Sequence, residues 1–131
     1  MSYIKLNGIE FDAEVSISAY NRSFNVLDGD NAGRVMTGRM IRDVIGTYIG
    51  HKLTVFRRGN NYQGLDRFWD YLVAHSVDDS VMLEAADGQK TIRYEAYYTS
   101  ASQDIEQVVG GVNYWGEIEI NFVPMDAQVK P

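Results

Sequence analysis

Three groups of residues in this chain have the types and spacing to do chemistry. Glu117 and Glu119 stand two apart in WGEIEINF, which on a strand puts both carboxylates on one face, as an acid and base pair requires. An ordinary solvated sheet face has the same spacing. Asp28, Asp30 and Gly33 fit positions 1, 3 and 6 of a calcium-loop count. Ala32 stands where a third ligand belongs, however, and Arg39 where the closing glutamate belongs, so the oxygen donors for a hard cation are incomplete. The third group is basic. Arg34, Arg39, Arg42, Lys52, Arg57 and Arg58 face one acid, Asp43, so the window from Arg34 to Arg58 carries +5 in a chain of net −6. Such a window suits phosphate or an acidic protein surface.

Other reactive constellations are missing from the sequence. There is no G-x-S-x-G elbow, no H-E-x-x-H, no P-loop and no G-x-G-x-x-G, and cysteine is absent. His51 and His75 have no spacing that implies a shared metal, and His75, near the end of a helical segment, would meet the helix dipole favourably if protonated. These residues predict no catalytic centre, no cofactor and no metal, and a protein that is not an enzyme. A pI near 4.8 argues against a general nucleic-acid binder, with the basic window the one local exception. The start, MSYIKLNGIEF, has neither a basic nor an apolar leader region, and no run approaches the roughly 18 apolar residues of a membrane span. The expectation is synthesis and retention in a cytoplasm, without a membrane.

The elements that must position these residues follow from periodicity. A length of 131 residues predicts a single domain over 1–131, long enough for a core without staples. Tyr3 to Phe11 reads as a strand broken by Asn7-Gly8, a hairpin signal, with Val15, Ile17 and Ala19 alternating in the strand expected to pair back. Phe24 to Leu27 extends this pattern, and 28–33 reads as loop. Arg34 to Ile49 fits both a helix and a strand bent at Gly46; the glycines at 38, 46 and 50 favour strand. His51 to Phe56 reads as a separate short strand. Asn60 or Asn61 is an N-cap for one helix with Leu65, Phe68, Trp69, Leu72 and Val73 on a single stripe, expected to plug the core. Val81 to Ala85 and Ile92 to Tyr98 alternate about an Asp87-Gly88 turn. Ser100 to Gly111 reads as a polar loop with a short turn at 105–109. The last strand, NYWGEIEINFVP, puts Tyr114, Ile118, Ile120 and Phe122 on one face and ends at Pro124. Residues 125–131 read as a loose tail, and 28–50 as a protruding segment.

The fold class expected is therefore α+β and mostly β: an antiparallel sandwich or partly open barrel with one inserted helix. The string DGDNAGRVMTGRMIRD with IGT after it, the hairpin ending YEAYYTS, and the closing GGVNYWGEIEINFVP resemble a group of small tail-gene-cluster proteins of long-tailed bacteriophages and prophages, over about residues 28 to 124. The resemblance implies a tail structural or assembly protein with a fold similar to the tail-tube type. It implies assembly in the bacterial cytoplasm, a final place in the virion tail, and as partners the chain itself, as a ring, together with other tail proteins. The basic residues Arg34, Arg39, Arg42, Arg57 and Arg58 are the candidate self-assembly interface, and the acidic remainder of the chain suits head-to-tail contact. A prophage-encoded binder of a host factor and a small β-barrel enzyme are the readings left beside it.

Overall fold

In the computed structural model, which describes residues 4–16, 19–30 and 32–131, the chain forms ten strands and one helix. These are β1 (Ile4–Leu6), β2 (Ala13–Val15), β3 (Asn21–Asp28), β4 (Gly33–Arg34), β5 (Met40–Ile41), β6 (Val44–Arg57), α1 (Tyr62–Ala74), β7 (Val81–Asp87), β8 (Lys90–Tyr97), β9 (Ala101–Val109) and β10 (Val112–Pro124). Every pairing among them is antiparallel. The main sheet runs β1-β7-β8-β10-β6-β2, with β3 also on β6 and β9 also on β10, and it nearly closes into a barrel-like shape. The expected class, mostly β with one inserted helix, is the observed one.

Two long strands carry the architecture. β6 holds β3 and then β2 along one edge, while its C-terminal half pairs with β10 from Ile118↔Val55 to Phe122↔His51. β10 holds β9 and then β8 along its other edge. Alternation on these strands turns Leu53, Val55, Ile118, Ile120 and Phe122 inward, where they meet Leu83, Ala85 and Ala96 of β7 and β8. The helix closes this core with Leu65, Phe68 and Leu72, and Phe11 sets its ring edge-on to Phe68 at a 5.1 Å centroid distance. Each such side chain contributes about 1.5–3 kcal/mol by leaving water.

Local chemistry starts and stops the helix. The Asn61 side chain accepts from the Gly64 backbone N–H at 3.0 Å, occupying one of the donors that a first turn leaves unpaired. It also donates to the Asp12 carboxylate. At the far end Tyr98 donates its hydroxyl to the Leu72 carbonyl at 2.6 Å. Trp69 is half-buried at the rim of the core, and Val73, expected on the buried stripe, is 56% exposed, because the sheet covers a narrower arc than the stripe spans.

Four expectations are corrected. Asn7-Gly8 does reverse the chain, with Asn7 and Gly8 both at positive φ and Leu6 bridged to Ile9, but β1 pairs with β7 instead of β2. The reason lies in Asn7, whose backbone and side chain both bond Met82 at the edge of β7. Of the expected 34–49 strand only 44–49 are one strand, and they run on without a break through the expected 51–56 strand as β6; residues 34–43 precede it and run through the short ribbon β4/β5. The expected loop at 100–111 is β9, joined to β10 by a tight turn at Gly110-Gly111, both at positive φ. Finally, 125–131 is not loose throughout. Gln128 donates to and accepts from the Ile49 backbone at 2.9 Å, and Thr47 donates to the Val129 carbonyl at 2.8 Å. A Cβ on Gly46 would meet the Val129 carbonyl at 2.9 Å, so glycine there admits the tail rather than bending the strand. Tyr3 and Ile17, read as strand residues, lie outside the described residues.

Candidate functional site

The basic window does not fold into a basic patch. Arg34, Arg39 and Arg42 lie before β6 and Arg57 and Arg58 at its end or just beyond, and fourteen residues at a rise of about 3.3 Å each separate the two groups by roughly 40 Å along the strand. Most of this charge is also answered within the chain. Arg42 donates its Nε to both carboxylate oxygens of Asp28, at 2.9 and 3.1 Å, and the hydrogen bond followed by the charge of Asp28 raises its already high pKa. Arg57 pairs with Glu106 at 2.8 Å and lies 4.7 Å from the centre of the Tyr62 ring. Arg58 reaches Asp12 at 3.3 Å and Glu14 at 3.6 Å. Arg34 donates to the Gly38 carbonyl, and Arg39 makes no ion pair with a described residue. The proposed five-arginine interface is therefore two separate places, of which only the Arg34–Arg39 end keeps its charge free.

That free end is an arm. Residues 29–30 and 32–43 leave the β3–β6 ribbon, held at the base by the Gly29 N–H on the Asp43 carbonyl at 2.7 Å and by the Arg42–Asp28 pair. The ribbon β4/β5 stiffens its tip, and the Val35–Gly38 turn is closed by backbone bonds. Its apolar side chains face solvent: Met36 fully, Val35, Met40 and Ile41 by about half or somewhat less. Below the arm, β3 is almost wholly exposed, with Phe24 at 72%.

A second exposed surface lies at the other side of the sheet. β9 pairs with β10 alone, so its outer edge carries backbone donors and acceptors that no described strand uses, beside exposed Ile105, Val108 and Val109. Glu117 and Glu119 are exposed on β10 next to this edge and make no ion pair with a described residue, as does Asp104 on β9. Asp104 and Glu106 line the same open pocket as the two glutamates, and among the described residues lining it there is no His, Lys or Arg to set one glutamate as acid and the other as base. Between β9–β10 and α1 runs a groove of about 720 Å³ lined by Trp69, Trp115, Asp66, Asp70, Gln103 and Asn113. Burial, and then the charge of Asp70, push the Asp66 carboxyl up.

The histidines are otherwise engaged. His51 is fully buried; its Nε2–H donates to the Ala86 carbonyl at 3.0 Å, which leaves Nδ1 to accept the Tyr94 hydroxyl at 2.7 Å. Burial pulls its pKa below the ordinary value, the Ala86 bond opposing this, and burial likewise raises the Tyr94 phenol. His75 pairs with Asp78 at 2.6 Å beyond the helix end. Among the described residues no group of three or more His, Asp or Glu is placed to hold a metal ion. Sequence reasoning missed β9 and the groove; the Gly110-Gly111 pair was the available signal for the hairpin that builds both. Compared with known proteins, the chain matches no family model and no curated protein.

Proposed function

We propose that this chain is a non-enzymatic structural subunit of a bacteriophage or prophage tail that works by associating with copies of itself into a ring. The observation that carries the reading is the pair of open sheet edges: β3 and β9 lie at opposite sides of the ribbon β3-β6-β10-β9, neither is covered by a described strand, and both expose apolar side chains. Edges of this length are a liability in a free monomer and are ordinarily shortened, charged or covered. Two unlike edges on one subunit suit a head-to-tail contact, which repeats until rotation closes it. The internal pairing of Arg42, Arg57 and Arg58 shifts the attractive surface from the whole basic window to the edges and the arm. The likeness of the 28–124 segment to tail-cluster proteins supplies the tail assignment, and genes for tail components on either side of the coding sequence would be expected.

Sedimentation velocity and size-exclusion with light scattering over a wide concentration range test this reading. Concentration-dependent association, with rings seen by negative-stain electron microscopy, is expected. A strict monomer at every concentration overturns it.

A further inference from the structure

We infer that the groove between α1 and the β9–β10 hairpin receives the arm tip of a second copy of this chain, an inference that rests on the self-association reading above. The groove has the chemistry of a cation site with apolar walls. Trp69 and Trp115 line it, and an indole is a ring against which a guanidinium and a thioether both pack well. Asp66 and Asp70 supply the charge. They stand one helical turn apart, form no ion pair with a described residue, and repel each other across that turn. A cation between them would relieve this repulsion.

The arm carries the complement. Arg39 has no acidic partner among the described residues, Arg34 meets only the Gly38 carbonyl, and Met36 at the turn is fully exposed. These are the free cations and the free apolar side chain that the groove lacks.

Placement makes the contact intermolecular. The register Ile118↔Val55 sets Trp115 beyond the Arg57 end of β6, whereas the arm leaves from the Val44 end. The chain between β3 and β6, at the strand rise of about 3.3 Å per residue, lets the arm tip reach at most roughly 25 Å from its base, less than the roughly 40 Å along β6. An arm thus meets the groove of another copy, and each copy offers one arm and one groove. Unlike surfaces at opposite ends give a heterologous contact that closes into a ring or propagates as a filament.

Charge exchange tests it. Arg34→Glu with Arg39→Glu, and separately Asp66→Arg with Asp70→Arg, should each raise the concentration for half-association about tenfold or more, and the four changes combined should recover most of the loss. All four positions are exposed, and recovery in the combination would show that the loss in the separate variants comes from charge at the contact and not from misfolding caused by the substitutions. The chain has no cysteine, so a Met36→Cys chain mixed with a tagged, larger Asn113→Cys chain gives a second reading. A mixed-size disulfide-linked pair under mild oxidation is expected. If the wild type associates while both charge variants associate equally well and no mixed pair forms, the groove inference falls and self-association stands. A wild type that stays monomeric overturns both.

Discussion

Replacing Gly64 with alanine pits an intrinsic preference against a packing contact, and the structure decides the sign. Glycine inside a helix costs about 1 kcal/mol relative to alanine, so on propensity alone Gly64→Ala should stabilise α1. Gly64, however, is buried in the first turn, where a Cβ would fall well inside contact of the Asp12 backbone carbonyl and 2.9 Å from the Asn61 Nδ2. The obstructing atom is backbone and cannot swing away as a long side chain would. Overpacking of this kind costs about 1–3 kcal/mol or more. Moving Asp12 would also disturb the bonds it makes with Asn61 and Arg58, and with them the helix cap. The expected net effect is a loss of about 1–2 kcal/mol, seen as a fall of roughly 4–8 °C in the thermal midpoint by circular dichroism. Gly33→Ala is the matched control: its Cβ meets nothing within 4 Å, and the midpoint should hardly move. A Gly64→Ala midpoint at or above that of the wild type would show that the helix does not rest on the Asp12 backbone.

Three further outcomes follow from the same contacts. Leu72→Ala removes a side chain 2% exposed at the end of the helix stripe and should cost about 2–5 kcal/mol in urea unfolding, an unchanged midpoint meaning that the stripe is not core. His51 titrates lower when folded than when unfolded, so the unfolded chain takes up its proton first; the stability it contributes is complete above about pH 6.5 and is lost as pH falls below that. His51→Gln should flatten the loss of urea midpoint between neutral and mildly acidic pH, and identical pH profiles would count against it. Deleting residues 127–131 removes the Gln128 and Val129 bonds that cover β6 at Thr47 and Ile49, so light scattering should show increased association. An unaltered scattering profile would mean that the tail does not protect that edge.

Period-two alternation reports burial, not pairing, and this explains which strands the sequence reveals. Val81, Leu83 and Ala85 of β7, Tyr94 and Ala96 of β8, and Ile118, Ile120 and Phe122 of β10 alternate because one face of each strand meets the core. β9 is paired along nearly its full length yet exposed on both faces except at Ala101 and Gln103, so neither face needs to be apolar, no alternation marks it, and its residues read as loop. Asn7-Gly8 is likewise a local signal: its backbone preference dictates a reversal but leaves open which strand the reversed chain will join.

Charge follows a different rule. Six basic residues within one sequence window form a patch only if the chain there is compact, and over β6 it is fully extended, so the window is pulled out along the length of the sheet and its C-terminal arginines find Glu106, Asp12 and Glu14 nearby. The groove arises in the opposite way. Trp69 and Trp115 are 46 positions apart in the chain and are assigned by periodicity to a core stripe and to a strand, but the first stands at the edge of its stripe and the second at a register shift in β10. A residue at the margin of a buried arc is the one that tertiary structure can turn into a rim. With the β9–β10 hairpin rising beside α1, both indoles line one groove beside Asp66 and Asp70, and a site is assembled from residues that separately read as packing and solvated surface.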